Sequence, residues 1–213
     1  MKRIILLFLL ISLNNSFGQT KEIYLNDDLK NISESEFNKP SKESNYNLRF
    51  DLDTLIVNVK VLRVKKGKIP KQTFDAIKAN LSKFSGNEII KNGIIVINYF
   101  PGPDRCNSGP GSSYLREKYR RYLKKISRNE NVSQFFVYKS IEGTKKYGRK
   151  LEWIVDNGNI VEKTFFPIHY NCGSFALIDE NGNYYLTKGE YDIEQIINLL
   201  ENKEKTFANT VQN

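Results

Sequence analysis

The pattern of apolar and polar positions divides the first half of the chain into strand-like and helix-like segments. Residues 55–64, LIVNVKVLRV, place apolar side chains at every second position, which predicts a strand, and KKGK (65–68) is then expected as a turn. A helix should follow, because Pro70 suits its first turn, apolar residues recur at helical spacing, and Gly86 can end it. The continuous apolar run 93–100 is typical of a central strand covered on both faces.

The next segments predict a second helix and a parallel strand. A helix is expected from Ser112 or Ser113, either of which can cap it, to about Arg128. VSQFFVYK (132–139) predicts another strand, and the order strand, helix, strand requires a right-handed crossover that leaves the two strands parallel. Residues 140–159 have no clear period, so we expect a turn followed by an irregular helix or strand.

The last elements are a predicted hairpin and helix. SFALID and NYYLTK flank the turn sequence ENGN, which is the pattern of two antiparallel strands. YDIEQIINLLE then predicts a helix capped by Asp192, with Gln195 three positions further on and isoleucine and leucine side chains facing inward.

The first residues predict export. Lys2 and Arg3 precede the apolar run 4–13, and small and polar residues follow it, which is the order found in a cleaved signal peptide. An uninterrupted membrane span needs about 20 apolar residues, so this run is too short, and no other segment is apolar enough. We therefore expect residues 1–18 to be removed near Gly18, leaving a periplasmic or secreted protein without a transmembrane span.

Composition then suggests how the remaining residues are organised. Residues 19–45 are polar and charge-mixed and are expected to form a loosely packed lead-in, and residues 202–213 are expected to be a flexible tail. Almost all of the apolar periodicity lies in residues 46–201, which predicts a single domain. The chain of 213 residues carries a formal net charge of +9, so it is a basic protein.

The chain has two cysteines, and the residues alone leave their chemistry open. Cys106 lies between a predicted buried strand and a helix, where it could be a nucleophile, a metal ligand, half of a disulfide or a small apolar filler. A zinc site needs about four ligands, and His169 is the only histidine, so we predict no metal. Phosphate-binding and dinucleotide-binding glycine motifs are absent from strand-to-helix contexts, so no cofactor is predicted.

From about residue 55 to 201 the order of elements resembles a thioredoxin-like domain. The most specific part is residues 172–201, similar to the closing hairpin and helix of exported thioredoxin-like proteins, while NYFPGPDRCNSG (98–109) occupies the place of that family's redox loop. The resemblance implies an α/β fold, a thioredoxin-like three-layer sandwich with a central mixed sheet flanked by helices, a closing β-hairpin and a C-terminal helix.

The sequence departs from the family at the redox loop. Redox-active members carry two cysteines two residues apart at the start of a helix, whereas this chain has CNSG, with Gly109 in the place of the second cysteine. Cys106 also lies about six residues before the predicted helix cap, where the helix dipole is weak. Cys172 stands near the position of the family's cis-proline. Because the family's fold places these two loops side by side, the resemblance implies a Cys106–Cys172 disulfide in an oxidising compartment.

Two functions follow from this resemblance. The first is an exported thioredoxin-like domain without dithiol catalysis, acting as a binding or structural module of the cell envelope. The alternative is a thiol-disulfide oxidoreductase with Cys106 as nucleophile and Cys172 as resolving thiol.

Two surfaces are candidates for binding. The resemblance suggests a peptide-binding rim, formed by residues before and within the redox loop: Tyr99, Phe100, Pro101 and Pro103. The predicted second helix carries a cationic face that could bind anions, or could simply be solvated: Arg116, Arg120, Arg121, Lys124, Lys125 and Arg128. The expected partners are therefore an exported polypeptide or an anionic envelope component. No nucleic acid is expected, because the predicted compartment holds none.

Overall fold

The computed structural model describes residues 20–40 and 45–208, and these residues form two compact units that meet in the chain between Leu62 and Arg63. The predicted signal peptide, residues 1–18, lies outside the described residues. Packing units and sequence-based domain bounds need not coincide, so the predicted division into residues 19–45, 46–201 and 202–213 stays a prediction.

The first unit is a three-stranded sheet with one short helix. Its strands are β1 (Lys21–Leu25), β2 (Asn45–Leu52) and β3 (Leu55–Leu62), in the order β1-β3-β2, with β1 parallel and β2 antiparallel to β3. Helix α1 (Glu34–Asn38) buries Phe37, whose ring lies 5.1 Å from that of Tyr24. The expected lead-in thus contains a strand and a helix.

The second unit is built on a six-stranded mixed sheet of order β4-β9-β8-β5-β6-β7. Strands β5, β6 and β7 run parallel to one another, and the remaining neighbours are antiparallel. The strands are β4 (Val64–Lys68), β5 (Ile94–Phe100), β6 (Val132–Tyr138), β7 (Trp153–Val155), β8 (Ser174–Ile178) and β9 (Asn183–Thr187). The predicted central strand, parallel crossover and hairpin are therefore confirmed.

Five helices accompany this sheet. They are α2 (Lys71–Ser85), α3 (Ser113–Ile126), α4 (Ile160–Phe165), α5 (Glu194–Glu201) and α6 (Lys203–Phe207). Gly86 ends α2 in the left-handed conformation with φ 70°, and the Ser112 hydroxyl caps α3 by accepting from the Leu115 N–H at 3.0 Å, as both residues predict. Asp192 likewise accepts from the Glu194 N–H at 2.9 Å, at the start of α5.

Alternating side chains of β5 enter two different layers. Val96 and Phe100 belong to a core shared with buried residues of α3 and α5, such as Tyr122 and Ile196. Tyr99 faces the other way and stacks on Phe166, directly after α4, with ring centroids 5.0 Å apart. Helices thus flank both faces of the sheet, which confirms the predicted layered α/β fold.

Three segments differ from the sequence-based expectation. KKGK (65–68) is not a turn but part of β4, where Gly67 lies so close to the Tyr184 ring that a Cβ would meet its hydroxyl oxygen at 2.5 Å. Residues 140–159 agree with the expected turn and irregular strand, since they contain a 3₁₀ turn at Thr144–Tyr147 and then β7, but the helix α4 after them was not predicted. The start of the expected tail forms α6, which buries Thr206.

Candidate functional site

The two cysteines form a disulfide at one end of the central strand. Cys106 lies in the loop after β5 and Cys172 lies just before β8, and their Cα atoms are 5.2 Å apart although 66 positions separate them. This separation is within the usual range for a disulfide, so the pairing implied by the family resemblance is confirmed. Cys106 is exposed and Cys172 is half-buried, which places the bond at the protein surface.

A single carboxylate joins the two cysteine loops. The Oδ1 atom of Asp104 accepts hydrogen bonds from the backbone N–H groups of Cys106 and Asn107, both at 2.8 Å. Its Oδ2 atom accepts from the backbone N–H of Cys172 at 2.7 Å. The hydrogen bonds to Oδ1 form a local turn that is typical of aspartate. The hydrogen bond to Oδ2 joins this turn to the loop that contains Cys172.

Asn107 makes a second connection between the same loops. Its buried side-chain amide donates to the carbonyl of Gly102 at 3.1 Å and to that of Cys172 at 3.2 Å. Its Oδ1 atom accepts from the backbone N–H of Asp104 at 3.0 Å, and its main-chain carbonyl accepts from the Lys146 ammonium. The residue after Cys106 is therefore a structural part of the site, which the sequence did not predict.

The surroundings of Asp104 hold its carboxylate in the charged form. Burial opposes ionisation, but hydrogen bonds from the backbone of Cys172 and Asn107, from His169 and from the backbone of Cys106 outweigh it and lower the pKa of Asp104. The His169 Nε2 atom lies 3.2 Å from Oδ2. His169, the only histidine of the sequence, thus contributes to the support of this carboxylate.

The backbone before β8 is tightly constrained. Cys172 has a φ of +72° and Gly173 a φ of +137°, so the chain passes through the left-handed region at both residues. A Cβ at position 173 would lie 3.1 Å from the carbonyl oxygen of Tyr99, which explains why glycine is required where this loop crosses the end of β5.

Cys106 lies away from the start of α3. The helix begins at Ser113, and the N–H of Leu115 is already capped by Ser112. Since the field of a helix dipole decays within about one turn, the helix contributes little to the chemistry of the Cys106 sulfur. The expected distance between the cysteine and the helix cap is confirmed.

A cavity of about 240 Å³ opens beside the disulfide, and both cysteines line it. Its walls are mainly aromatic, with ring centroids 4.9 Å apart for Tyr119 and Tyr147 and 5.8 Å apart for Tyr147 and Trp153. The Trp153 Nε1–H is buried and has no hydrogen-bond acceptor among the described residues. Phe100 and Tyr191 also line the cavity, and Tyr99 borders it although its ring stacks on Phe166 in the other layer.

Charged and polar groups bound the same cavity. Lys118 forms an ion pair with Asp192 at 2.8 Å, and Tyr191 donates its hydroxyl hydrogen to the Oδ1 atom of the buried Asn98 at 2.6 Å. Burial lowers the pKa of Lys146, although the negative charge of Asp104 acts in the opposite direction. Burial also raises the pKa of Tyr147 to about 12. The cavity thus combines apolar walls with a few fixed polar groups, the usual composition of a ligand pocket.

The predicted peptide-binding rim is mostly buried and does not form an exposed surface. Tyr99, Phe100 and Pro101 are buried, because β5 continues as a central strand to Phe100, and only Pro103 is exposed. Phe100 nevertheless lines the cavity from within, whereas Tyr99 only borders it. Sequence reasoning missed Tyr147, Trp153 and Tyr191, since no periodicity relates them to the cysteine loop.

The predicted cationic face is present on α3 and the residues that follow it. All six basic residues are exposed, and two of them contact acids: Arg120 pairs with Glu117 at 2.7 Å, and Lys125 lies 3.9 Å from Glu194. In the part of the chain that the structure describes, no group of three potential metal ligands occurs, and no helix is long and apolar enough to cross a membrane.

Comparisons with solved structures find proteins of low sequence identity, which are two disulfide oxidoreductases and one thioredoxin. No family model and no curated protein match the chain. A thiol-disulfide oxidoreductase from Bacteroides fragilis is 13% identical, covering 55% of this chain and 85% of its own, with a TM-score of 0.39. The exposed lipoprotein thioredoxin of Streptococcus pneumoniae is 12% identical, covering 75% and 99%, with a TM-score of 0.38. A secreted disulfide oxidoreductase of Mycobacterium tuberculosis is 7% identical, covering 53% and 83%, with a TM-score of 0.35.

The strand order of the second unit itself identifies the fold. Strands β9, β8, β5 and β6 are neighbours in that order, β5 and β6 are parallel with α3 between them, and the antiparallel hairpin β8-β9 is followed by α5. This order and these directions are those of the family that the sequence resembles. The second unit therefore has a thioredoxin-like fold, with CNSG in place of a dithiol motif and a disulfide between distant cysteines.

Proposed function

We propose that this protein is an exported thioredoxin-like binding module of the cell envelope in which the Cys106–Cys172 disulfide is structural. In this proposal the bond and Asp104 hold two loops at the mouth of the aromatic cavity, and the cavity takes up an apolar side chain of an exported polypeptide. The protein performs no dithiol catalysis.

The hydrogen bonds of Asp104 are the observation that carries this proposal. A reactive cysteine needs a stabilised thiolate, and backbone N–H groups or nearby positive charge normally provide this. Here the N–H groups of Cys106, Asn107 and Cys172 are all donated to a carboxylate. That carboxylate also places a negative charge beside both cysteines, which opposes the formation of a thiolate. The arrangement stabilises the oxidised loops and disfavours the chemistry of a reduced pair.

The cavity supports a role in binding. Its aromatic walls can pack an apolar side chain of an extended polypeptide. The predicted signal peptide supports a compartment in which such a disulfide persists and in which exported chains are available as partners.

A redox titration tests the structural disulfide. Purified oxidised protein is equilibrated in buffers of defined potential, and its free thiols are alkylated and counted by mass spectrometry. A structural bond should have a reduction potential below about −300 mV, and the protein should not accelerate the reduction of insulin. A potential well above that value, together with insulin turnover, would overturn the structural assignment.

Filling the cavity tests the proposed binding. The probe is a permanently unfolded polypeptide, reduced and carboxymethylated lactalbumin, and binding is followed by fluorescence anisotropy. Leu115 lines the cavity, so Leu115→Trp should obstruct it and abolish binding. Tyr114 is the adjacent residue and is 68% exposed, so Tyr114→Trp introduces the same side chain outside the cavity and should bind normally. Equal binding by both variants would show that the polypeptide does not bind in the cavity.

A second function has one observation in its favour. Cys106 is exposed while Cys172 is half-buried, the asymmetry expected of an attacking and a resolving thiol. In an oxidoreductase, the Cys106 thiolate would attack a substrate disulfide and release one substrate thiolate. The Cys172 thiolate would then displace the second, so that the two cysteines are oxidised and the substrate is reduced by two electrons. In this case Cys172→Ser should accumulate a mixed disulfide with insulin, whereas the structural assignment predicts none.

A further inference from the structure

The outer edge of β6 is only partly covered by a neighbouring strand. β5 pairs with all seven residues of β6 on one side, whereas β7 pairs only with Phe136–Tyr138 on the other. The first part of β6, residues 132–135, therefore has no strand partner on its outer edge among the described residues. Such an edge can accept an additional strand from another polypeptide.

The hydrogen-bond alternation of β6 shows which groups face that edge. The Asn131 carbonyl accepts from the Ile94 N–H, and the Lys139 N–H donates to the Phe100 carbonyl, so odd-numbered residues bond to β5. Even-numbered residues face outward, as the bond from the Asp156 N–H to the Tyr138 carbonyl confirms. Gln134 consequently directs both its N–H and its carbonyl towards the open edge.

A groove of about 990 Å³ runs along this open edge, and it is lined by β6, β7, α3 and the end of α2 with the residues that follow it. Apolar side chains, among them Leu123, Ile126, Phe135 and Ile154, line it, and the half-exposed Ile90 lies at its side. The groove is much larger than the cavity beside the disulfide and shares none of the lining residues that carry the proposed function. Its volume is sufficient for several residues of a peptide.

The charges along the groove favour an acidic occupant. Its basic residues are Arg120, Arg121, Lys124 and Lys150, and its acidic residues are Glu117, Glu130 and Glu152. Glu117 and Arg120 form an ion pair at 2.7 Å and compensate one another, so that Arg121, Lys124 and Lys150 remain against Glu130 and Glu152. Two of the three remaining cations, Arg121 and Lys124, lie on α3, towards which every second side chain of an added strand would point.

We propose that this groove binds an extended acidic polypeptide segment, which pairs with the open edge of β6 at Gln134 and directs acidic side chains to Arg121, Lys124 and Lys150. Main-chain hydrogen bonds supply part of the affinity, and the basic side chains favour acidic peptide segments over basic ones. The site is separate from the cavity, so binding does not depend on the disulfide.

Labelled peptides test the strand pairing. The probe is an octapeptide that alternates valine and glutamate, and the charge control replaces each glutamate by lysine. Successive N–H groups of a strand point to opposite edges, so N-methylation of the valine amides blocks one edge and N-methylation of the glutamate amides blocks the other. We expect one of the two methylated peptides to bind at least about tenfold more weakly, as the loss of one good hydrogen bond predicts, and the other to bind as before.

Two triple variants test the position of the site. Arg121→Gln/Lys124→Gln/Lys150→Gln removes three groove cations and should weaken binding of the glutamate peptide by about tenfold or more. Arg116→Gln/Lys125→Gln/Arg128→Gln removes the same charge from exposed residues that do not line the groove, and should leave binding nearly unchanged. The lysine peptide should not bind, and Cys106→Ser/Cys172→Ser should bind the glutamate peptide like the native protein.

Several results would overturn the proposal. Equal weakening by the two triple variants would indicate diffuse electrostatic attraction, and equal binding of the two N-methylated peptides would exclude strand pairing. Retention on vesicles of anionic phospholipid, without binding of the glutamate peptide, would assign the cationic face to a lipid surface instead.

Discussion

The carboxylate of Asp104 accepts the backbone N–H of Cys172 at 2.7 Å, and these two residues are 68 positions apart in the chain. The same carboxylate holds the turn that contains Cys106, so the two loops are joined twice, once by the disulfide and once by hydrogen bonds. The disulfide and the hydrogen bonds connect the same two loops. Their separate contributions to stability and to redox chemistry can therefore be measured by removing each in turn.

Removal of the disulfide should destabilise the fold without abolishing it. Closing a loop of this length stabilises a protein by roughly 4 kcal/mol in the chain-entropy model, and native disulfides typically contribute about 2–5 kcal/mol. Cys106→Ser/Cys172→Ser should lower the free energy of unfolding in urea by that amount, with the native circular dichroism spectrum retained. A change below about 1 kcal/mol would mean that the hydrogen bonds of Asp104 already fix the loops.

Asp104 should make stability depend on acidic pH. Its pKa is lowered in the folded protein, so its contribution is fully present above the unfolded-state pKa near 4 and is lost as the pH falls through the folded value. Asp104→Asn should cost about 1–3 kcal/mol at neutral pH, because asparagine keeps only one acceptor oxygen and at least one part-buried N–H, of Asn107 or of Cys172, loses its acceptor. The variant should also lose less stability than the native protein when urea unfolding is repeated below pH 4.

The exposed Asp53 provides a control for this experiment. Asp53→Asn changes the same functional group outside the site and should follow the native pH profile. Parallel profiles for native protein and Asp104→Asn would contradict the proposed role of the carboxylate.

The buried Tyr147 should make the stability of the fold decrease at alkaline pH. Burial raises its pKa to about 12, so its contribution to stability is complete below the unfolded value near 10 and is lost as the pH rises towards 12. Tyr147→Phe keeps the ring that packs between Tyr119 and Trp153 and should lose less stability over that interval. Urea unfolding at successive pH values measures this, with Tyr114→Phe as the exposed control. Identical alkaline profiles for native protein and Tyr147→Phe would contradict the expectation.

Much of the fold was predictable because its signals are local. The apolar run at β5 marks a strand buried on both faces, Ser112 and Gly86 mark helix ends, and the hairpin β8-β9 has a turn sequence between two apolar segments. Each of these signals depends on residues a few positions apart. The predicted parallel pairing of β5 and β6 then followed from the general handedness of crossovers.

The candidate site was only partly predictable, because its contacts are distant in sequence. Asp104 precedes Cys106 by two residues, a spacing typical of an aspartate turn, and this signal could have suggested its local role. Its bond to Cys172, and the meeting of Tyr119, Tyr147 and Trp153 around the cavity, depend on sheet order rather than on any local pattern. The pairing of the two cysteines could be predicted only from the family resemblance, because the resemblance supplied the order of the strands in the sheet.

The predicted signal peptide lies outside the described residues, and processing of the chain tests it directly. If the positive residues and the apolar run act as a signal, exported protein should begin near Gln19, and intact-mass measurement of periplasmic or secreted material will show this. Leu7→Arg places a charge in the apolar run and should prevent export, since the run must enter an apolar environment. Lys2→Arg keeps the positive charge and should be processed normally. Exported, folded protein that still begins at Met1 would contradict cleavage and would require an anchor in its place.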